Sequence, residues 1–438
     1  MSLGHLQKSS LPLGWRKDKL FRLCDAMGSG GTPASGNPDF YDGGIPWVQT
    51  GDLTDDVLQS TAKTLTVEGV ANSATRYFPP GTLLMAMYGA TIGKLGILKT
   101  EATVNQACCA LVPRQVISLR FMFFKLLSLR SGFIAAGRGG GQQNISQDTV
   151  KQTYIVYPTL PEQHRIAAYL DASCAAIDVA LSAKRRQLDT LDALRKSIIQ
   201  RAVTQGIAAD AVLESTGNVW LAQVPRGWKL RALKRIAEIR GGLTLGKQYE
   251  GELVERPYLR VGNVQDGHLD LTDVSVIELP ASVAAGVELC PDDVLMTEGG
   301  DLDKLGRGYL WRGELAGCLH QNHIFAVRCF RHQLKPMFLA YATAAQYGRD
   351  YFEATGKKTT NLANTNATKV GQFPIPLPTL PEQEAICAHL DDKTAEMDRI
   401  SATIQAQIST LTAYRKSLIH EYVTGQRRVS DAEALAAV

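Results

Sequence analysis

Along two stretches of the chain every seventh position is apolar, except for Lys184 in the first stretch. These apolar residues are Leu170, Ile177, Leu191 and Ile198 in the first stretch and Leu390, Met397, Ile404, Leu411 and Leu418 in the second. After the first turn, no proline or glycine interrupts either stretch until Gly206 and Gly425, which suit a helix C-terminus. A sustained seam with this period predicts two long helices that pair as a coiled coil.

The two stretches are copies of one segment. Residues 157–207 align without a gap with residues 377–427, and 22 of the 51 paired positions are identical. Both copies begin with Thr-Leu-Pro-Glu, at Thr159 and Thr379, which predicts a capping box with proline in the first helical turn. A repeat of this length indicates a duplicated unit rather than a solenoid period.

A stretch rich in glycine and turn residues precedes each helix and predicts a small mixed α/β domain. Strand-like runs (82–87, 107–112, 324–329) alternate there with helical runs (119–129, 337–345). We therefore divide the chain into a first domain (1–156), a first long helix (157–207), a second domain (208–376) and a second long helix with a tail (377–438). One domain is too small to carry the chain back along a helix of about 66 Å, so we expect antiparallel helices and an approximate twofold relation between the halves.

The duplicated segment and the start of each domain resemble a known family. Both copies contain Pro-Thr-Leu-Pro-Glu-Gln near the start and Arg-Lys-Ser near the end, the latter beginning at Arg195 and Arg415. A Pro-x-Gly-Trp sequence, ending at Trp15 and Trp228, opens each domain. Over essentially its whole length the chain resembles the specificity subunits of type I restriction-modification systems.

This resemblance implies a non-catalytic, DNA-binding subunit of a methylating and restricting complex that defends against phage. It implies two target recognition domains, each reading one half of a gapped double-stranded DNA sequence. It also implies that the long helices set the gap and dock two modification (methyltransferase) subunits, with restriction/translocase subunits as further partners. S-adenosylmethionine, ATP and Mg are then expected on those partners, and no cofactor on this chain.

Composition and charge limit the class of protein and the cellular compartment that we expect. An apolar share of 45% and a charged share of 21% are ordinary for a globular protein, and none of the eight cysteines forms a Cys-x-x-Cys pair. We find no leader sequence and no apolar run of about 20 residues, so we expect a cytoplasmic protein without a membrane segment. The net charge is only +4, but basic residues concentrate at 114–151 and 328–369, which favours a phosphate-facing surface before each helix.

DNA readout requires Arg or Lys for guanine, Asn or Gln for adenine, and small donors for phosphate. Glycine-bearing loops just before each helix, and glycine turns or polar strand edges within each domain, provide these residue types. The first-domain candidates are Tyr88, Thr91, Lys94, Arg138, Gly140, Gln142, Gln143 and Asn144. The second-domain candidates are Lys304, His320, Gln321, Asn322, Lys357, Lys358, Thr359 and Asn361.

Patterns that would indicate an enzyme are incomplete. The segment 241–247 has the glycine spacing of a phosphate-binding loop, but Gln248 stands where Ser or Thr must hold magnesium. The cluster Cys318, His320 and His323 lacks a fourth zinc ligand. We therefore expect no catalytic and no metal-binding residues. The alternative to DNA recognition is a twin-domain scaffold that binds proteins instead of DNA.

Overall fold

The computed structural model describes residues 11–137, 143–265, 267–300, 305, 306, 308–358 and 363–436. The chain divides into two compact units. Unit 1 comprises Met1–Lys184 and Ala406–Val438, and unit 2 comprises Arg185–Gln405. Each unit therefore contains one globular domain together with a part of each long helix.

The two predicted long helices span Leu160–Gln205 and Leu380–Val423. Glycines with positive φ follow both helices, +76° at Gly206 and +74° at Gly425, a conformation that favours glycine after a helix. The second helix starts with the predicted capping box, in which the Thr379 N–H donates to the Glu382 carboxylate at 3.1 Å and the Glu382 N–H donates to Thr379 Oγ1 at 3.4 Å.

The first helix starts differently. Among the described residues, Thr159 and Glu162 share no side-chain hydrogen bond, and the backbone bond from Gln163 N–H to the Thr159 carbonyl begins the helix. The predicted capping box is therefore wrong for the first copy.

The domain of unit 1 consists of two sheets, a strand pair and short helices. Its five-stranded sheet has the order Cys24–Gly28, Cys108–Pro113, Leu83–Ala86, Leu95–Leu98 and Asp56–Leu58, and its four-stranded sheet has the order Lys63–Leu65, Tyr41–Val48, Ala102–Val104 and Tyr77–Phe78. Arg16–Lys19 pairs antiparallel with Tyr154–Tyr157. The short helices of unit 1 are Val67–Ala71, Leu119–Ser128, Arg130–Ala136, Gln147–Lys151 and Asp431–Ala436, with 3-10 turns at Leu20–Leu23, Pro38–Phe40, Thr50–Asp52 and Gly89–Thr91.

The domain of unit 2 is built similarly. Its four-stranded sheet has the order Ala237–Gly241, Ile324–Cys329, Val294–Thr297 and Gly308–Leu310. Two three-stranded sheets have the orders Ser275–Leu279, Val254–Leu259, Leu319–His320 and Gly299–Gly300, Ala363–Asn364, Lys357–Lys358. Strand pairs join Lys229–Ala232 to Pro374–Leu377 and Leu213–Ser215 to Gln223–Pro225. The short helices are Ala281–Val287, Pro336–Ala344, Gln346–Thr355 and Ala367–Gln372, with 3-10 turns at Leu233–Arg235 and Val261–Asn263.

The core of each unit shows that the long helices run antiparallel. In unit 1, Leu170 and Ile177 from the start of the first helix share one core with Leu418 and Tyr422 from the end of the second. The core of unit 2 joins the end of the first helix to the start of the second, at Ile199, Val203, Ile386 and Leu390. The predicted mixed α/β fold with two antiparallel long helices is confirmed.

The seam residues differ in burial. Six of them are buried, namely Leu170, Ile177, Leu390, Met397, Ile404 and Leu418. Leu191, Ile198 and Leu411 are half-buried, and Leu411 packs against the core of unit 1 that contains Leu181.

A buried glutamine joins each domain to the long helix that follows it. In unit 1, Gln163 Oε1 accepts from the Ser118 N–H at 2.7 Å, and its Nε2 donates to the carbonyls of Val116 and Pro158. Gln383, 220 positions later, accepts from the Lys335 N–H at 2.8 Å and donates to the carbonyls of Gln333 and Pro378. This is the glutamine of the repeated Pro-Thr-Leu-Pro-Glu-Gln motif, so the motif sets the junction between domain and helix.

The first long helix is also the one helix in the described part of the chain that is apolar and long enough to cross a membrane. Both acids in its apolar stretch form ion pairs inside unit 1, Asp171 with Arg120 and Asp178 with Arg415, and its apolar seam packs on the domain core. These contacts are those of a core helix.

Candidate nucleic-acid interface

In unit 1 the structure brings two candidate loops together. The turn that follows the strand Leu83–Ala86 lies against the segment that precedes the first long helix. The Gly89 N–H donates to the Gln143 carbonyl at 2.8 Å, and Tyr88 and Asn144 form an antiparallel bridge. The side chains of Tyr88, Gln143 and Asn144 are exposed, and Lys94 is exposed where the turn closes. Exposed amide and phenol side chains thus come from segments that lie against each other, and the exposed Lys94 ends the same turn.

In unit 2 the corresponding loops also meet. Ala363–Asn364 pairs on one side with Gly299–Gly300 and on the other with Lys357–Lys358, which places the glycine turn and the lysine segment in one small sheet. Lys357 is exposed and, within the described part of the chain, forms no ion pair. The backbones of the two domains therefore repeat one arrangement of a glycine turn beside the segment that leads to the long helix.

A glycine-rich segment lies beside the polar strand edge in each domain. A Cβ at Gly30 would lie 1.9 Å from the Val104 carbonyl oxygen, and a Cβ at Gly242 would lie 2.3 Å from the His320 carbonyl oxygen. Only glycine fits such an approach. Gly242 of the Gly241–Lys247 segment is therefore a packing glycine beside the strand edge, and this contact explains that glycine without a nucleotide.

His320 does not lie at the surface. Its side chain is 1% exposed, and Nδ1 is 3.0 Å from the Val287 carbonyl. Burial lowers the pKa of His320, so the ring is neutral at pH 7. The interpretation of His320 as a base contact is wrong in this conformation, because strand alternation points it inward. The neighbouring Gln321 and Asn322 are half-buried and bond through their backbones to Leu259 and Leu243.

The basic stretch 114–151 is mostly not a phosphate surface. Arg114 pairs with Asp25, Arg120 with Asp171, and Arg130 with Asp55. Lys125 is buried and donates to the Val423 carbonyl at 2.9 Å. The acids that neutralise these side chains come from distant parts of the sequence, so a local count of charges did not include them.

The basic stretch 328–369 behaves in the same way. Arg328 forms a two-bond pair with Asp293, both bonds at 2.8 Å, and Asp293 is 1% exposed. Arg331 pairs with Asp292, Lys335 pairs with Glu384, and Lys369 donates to the Thr355 carbonyl. Among the described basic residues of this stretch, Lys357 is exposed and lies in the small sheet with the glycine turn.

Several sequence candidates lie outside the described residues. They are Arg138, Gly140, Gln142, Lys304, Thr359 and Asn361, together with the side chain of Lys358. Thr91 is described; its hydroxyl donates to the Tyr88 carbonyl at 2.8 Å and so shapes the turn.

A His–Glu pair at the unit 2 surface was missed by the sequence interpretation. His323 Nδ1 lies 2.7 Å from Glu298 Oε2, and Glu298 directly precedes the strand Gly299–Gly300. The histidine side chain is 53% exposed. In the sequence, Glu298 and His323 are 25 residues apart, and only the pairing of their two strands brings them together.

Among the residues that the structure describes, no group of three or more His, Cys, Asp or Glu could hold a metal ion. Burial raises the pKa of Cys329 and Cys318 to about 12, which leaves these thiols protonated and unreactive at pH 7.

Comparisons with known proteins agree with this arrangement. Residues 12–187 match the family model of the type I restriction modification DNA specificity domain. A Methanocaldococcus jannaschii relative assigned as the type I restriction enzyme MjaX specificity subunit is 27% identical over 206 residues, which are 47% of either chain. The MjaIX specificity subunit of the same organism is 22% identical over 59% of this chain and 60% of its own, so the chain spans about half the length of these curated relatives.

Longer matches have a similar identity. The type I restriction enzyme EcoKI specificity subunit of Escherichia coli is 24% identical over 75% of this chain and 70% of its own. One solved chain, described as "Structural basis underlying complex assembly and conformational transition of the type I R-M system", has the same fold with a TM-score of 0.74. It is 18% identical, and the match covers 95% of this chain and 99% of that one. The HsdS subunit from Thermoanaerobacter tengcongensis has a TM-score of 0.50 at 16% identity over 96% of this chain and 99% of its own. Residues 12–187 are thus similar to the DNA specificity domain of type I restriction-modification systems, and the chain as a whole is similar to specificity subunits of such systems.

Proposed function

We propose that this chain is the sequence-specific DNA-binding subunit of a type I restriction-modification complex. Each recognition domain, 1–156 and 208–376, reads one half of a gapped target, and the long helices set the gap and dock two modification subunits. The chain itself has no catalytic role and works in the cytoplasm with modification and restriction subunits. S-adenosylmethionine, ATP and Mg belong to those partners.

One observation carries this proposal. In each domain a glycine turn and the segment before the long helix meet, at Tyr88–Asn144 in unit 1 and at Gly299–Asn364 in unit 2. The segments that meet there contain glycines, exposed amide side chains and one exposed lysine in each unit. Amides and ammonium groups on loops are the groups that contact base edges and phosphates. A duplicated surface of this kind suits a target read in two halves.

Salt dependence of DNA binding tests the proposal. We expect affinity for random duplex to fall steeply with salt, and Lys94→Ala or Lys357→Ala to reduce the slope of log affinity against log salt by about one each. Lys63→Ala and Lys229→Ala are the matched controls, because both lysines are exposed on the same domains away from the candidate loops. Salt-independent binding, or no binding, would favour the protein-interaction scaffold.

A second experiment tests whether each domain reads its own half-site independently of the other. With the target identified by methylation-aware sequencing, Lys357→Ala should weaken binding through one half-site and leave discrimination at the other unchanged. Equal loss of discrimination at both half-sites contradicts independent reading. The purified chain alone should neither methylate nor cut DNA, and turnover by a homogeneous preparation would contradict the non-catalytic role.

A further inference from the structure

The pair of Glu298 and His323 lies at the base of the glycine turn in unit 2. The Glu298 N–H donates to the His323 carbonyl, and the Thr365 N–H donates to the Glu298 carbonyl, both at 2.8 Å. The strand that begins directly after Glu298 belongs to the small sheet that also contains Lys357. The backbone therefore holds both residues of the pair beside the segments that are candidates for DNA contact in this domain.

Unit 1 repeats this backbone arrangement without the polar pair. The Met87 N–H donates to the Ala107 carbonyl, and the Ile145 N–H donates to the Met87 carbonyl, both at 2.9 Å. Met87 and Ala107 thus stand where unit 2 has the acid and the histidine, and both are buried. The fold does not require a charged pair at this place, and an exposed ion pair contributes little to stability. Contact with a ligand explains the pair better than a structural role.

The pair presents hydrogen-bond acceptors. His323 Nδ1 lies 2.7 Å from Glu298 Oε2. Because a carboxylate only accepts hydrogen bonds, Nδ1 has the proton and donates it, and the ring thereby holds the carboxylate in place. The Glu298 side chain is 26% exposed, and its Oε1 forms no hydrogen bond with the residues that the structure describes. An exposed carboxylate repels phosphates, so beside DNA it suits only a base that offers a donor.

The chemistry of the major groove selects that base. Guanine and thymine present only acceptors there, and adenine presents its amino group next to the N7 acceptor, which repels a carboxylate. Cytosine presents its N4 amino group alone. We infer that Glu298 accepts a hydrogen bond from the N4 amino group of a cytosine in the half-site that unit 2 reads, and that His323 is the residue that positions Glu298. This inference rests on the proposed function.

Removal of the amino group from the DNA tests the inference. Binding of the full chain is measured on its identified target, and on duplexes in which one cytosine at a time is replaced by 2-pyrimidinone, which lacks that group. At one position, in the half-site that Lys357→Ala weakens, the wild-type chain should lose affinity by about tenfold. Glu298→Ala should bind both duplexes with the same reduced affinity, because the acceptor is gone.

Glu278→Ala is the matched control, because Glu278 is an exposed acid in a different sheet of the same domain. It removes the same charge and should keep the tenfold loss. His323→Ala should lessen the penalty for the missing amino group, and His323→Asn, which keeps a donor near the place of Nδ1, should restore most of it. A purely structural role of the histidine would change stability but not the response to a single amino group.

The outcomes separate this inference from the proposed function. If the wild-type chain binds its target no more tightly than random duplex, the proposed function fails. If it prefers the target but Glu298→Ala keeps the full penalty at every cytosine, only the role of Glu298 fails. An equal gain in affinity for all sequences in Glu298→Ala would show that the carboxylate only repels the DNA backbone, and would overturn the inference. Loss of sensitivity to an adenine amino group instead would overturn the assignment of cytosine.

Discussion

At the scale of single residues, Gln163 and Gln383 show how one side chain fixes a junction. Each is fully buried and uses its amide in both directions, accepting from a backbone N–H and donating to two carbonyls. Glutamine is suited to this position because its amide contains an acceptor and two donors. The glutamine of the repeated motif therefore stabilises the junction between domain and helix, a role that does not involve DNA.

Replacing Gln383 by Ala should destabilise unit 2. The Lys335 N–H and the carbonyls of Gln333 and Pro378 would lose their partner, and each buried group without a partner costs about 1–3 kcal/mol. We expect a loss of at least about 2 kcal/mol in the free energy of unfolding, measured by urea denaturation. Gln405→Ala, at an exposed position of the same helix, is the control. Equal stability of both variants would show that the junction does not depend on this side chain.

Lys125 should make the stability of unit 1 depend on pH. Burial lowers its pKa from 10.5 to about 8, so between these values the unfolded chain binds a proton that the folded chain does not. Stability should therefore rise as pH increases from about 8 to about 10.5, by roughly 3 kcal/mol, and stay at its reduced level below pH 8.

Lys125→Met provides the comparison, because methionine keeps most of the length of the side chain without the charge. The rise in stability between pH 8 and 10.5 should be smaller in this variant by the contribution of Lys125. Parallel pH profiles of the two proteins would contradict a buried, proton-losing lysine. Other groups that titrate in this range are the same in both proteins and cancel in the difference.

The sequence predicted the surroundings of a residue well where its contacts lie nearby in the sequence, and poorly where its contacts come from distant segments. The glycine turn at Tyr88 and the segment at Gln143 and Asn144 were identified because composition and local pattern mark such loops. The arginines at positions 114, 120 and 130 were misinterpreted, because Asp25, Asp171 and Asp55 reach them only through the fold. His320 was predicted to be exposed but is buried. The alternation of a strand does not show which of its two faces the core covers.

At the scale of elements, local sequence signals predicted best where a pattern is long. The bounds of both long helices follow from their seams, the first-turn prolines and the terminal glycines, within a few residues. The short tail helix Asp431–Ala436 was missed, although Ser430 and Glu433 form a capping box of the Ser-x-x-Glu type, with Ser430 N–H to Glu433 at 2.9 Å. That signal was present in the sequence but followed by too few apolar residues to define a helix.

Leu411→Asp tests the helix pairing in unit 1. Leu411 is half-buried against the core that contains Cys174, Ile177 and Leu181, and an unpaired carboxylate there costs a few kcal/mol. We expect a clearly lower urea midpoint and loss of modification-subunit binding, while the domain keeps weak, salt-sensitive binding to DNA. Thr410→Asp, one residue earlier at an exposed position, should have no such effect. Normal assembly and methylation by the Leu411→Asp protein would contradict the pairing.

At the scale of the whole molecule, duplication is the organising feature. The two units repeat the glutamine junction, the arginine–aspartate pair and the glycine turn beside the loop before the helix. Duplex DNA has local twofold symmetry, so under the proposed function two related domains on antiparallel helices suit a bipartite target. The duplication was visible in the sequence, whereas the sequence does not identify the bases that the proposed function requires each domain to read.

The length of the helices should set the gap between the half-sites. Deleting residues 183–189 together with residues 404–410 removes one heptad from each helix, about 10 Å of rise. The sequence positions of two residues that face each other across the antiparallel helices add to the same value. This value is 593 both for Asp178 with Arg415 and for Arg195 with Asp398. Removing these matched segments therefore keeps both ion pairs and the phase of the seam.

The shortened protein should recognise the same two half-sites with a shorter gap, measured by methylation of a library of targets with varied spacing. Deleting only residues 183–189 is the control, because it breaks the match between the two helices and should lower stability rather than change the preferred gap. If the doubly shortened protein keeps the original gap, the helices do not measure it, and the spacing must come from the modification subunits instead.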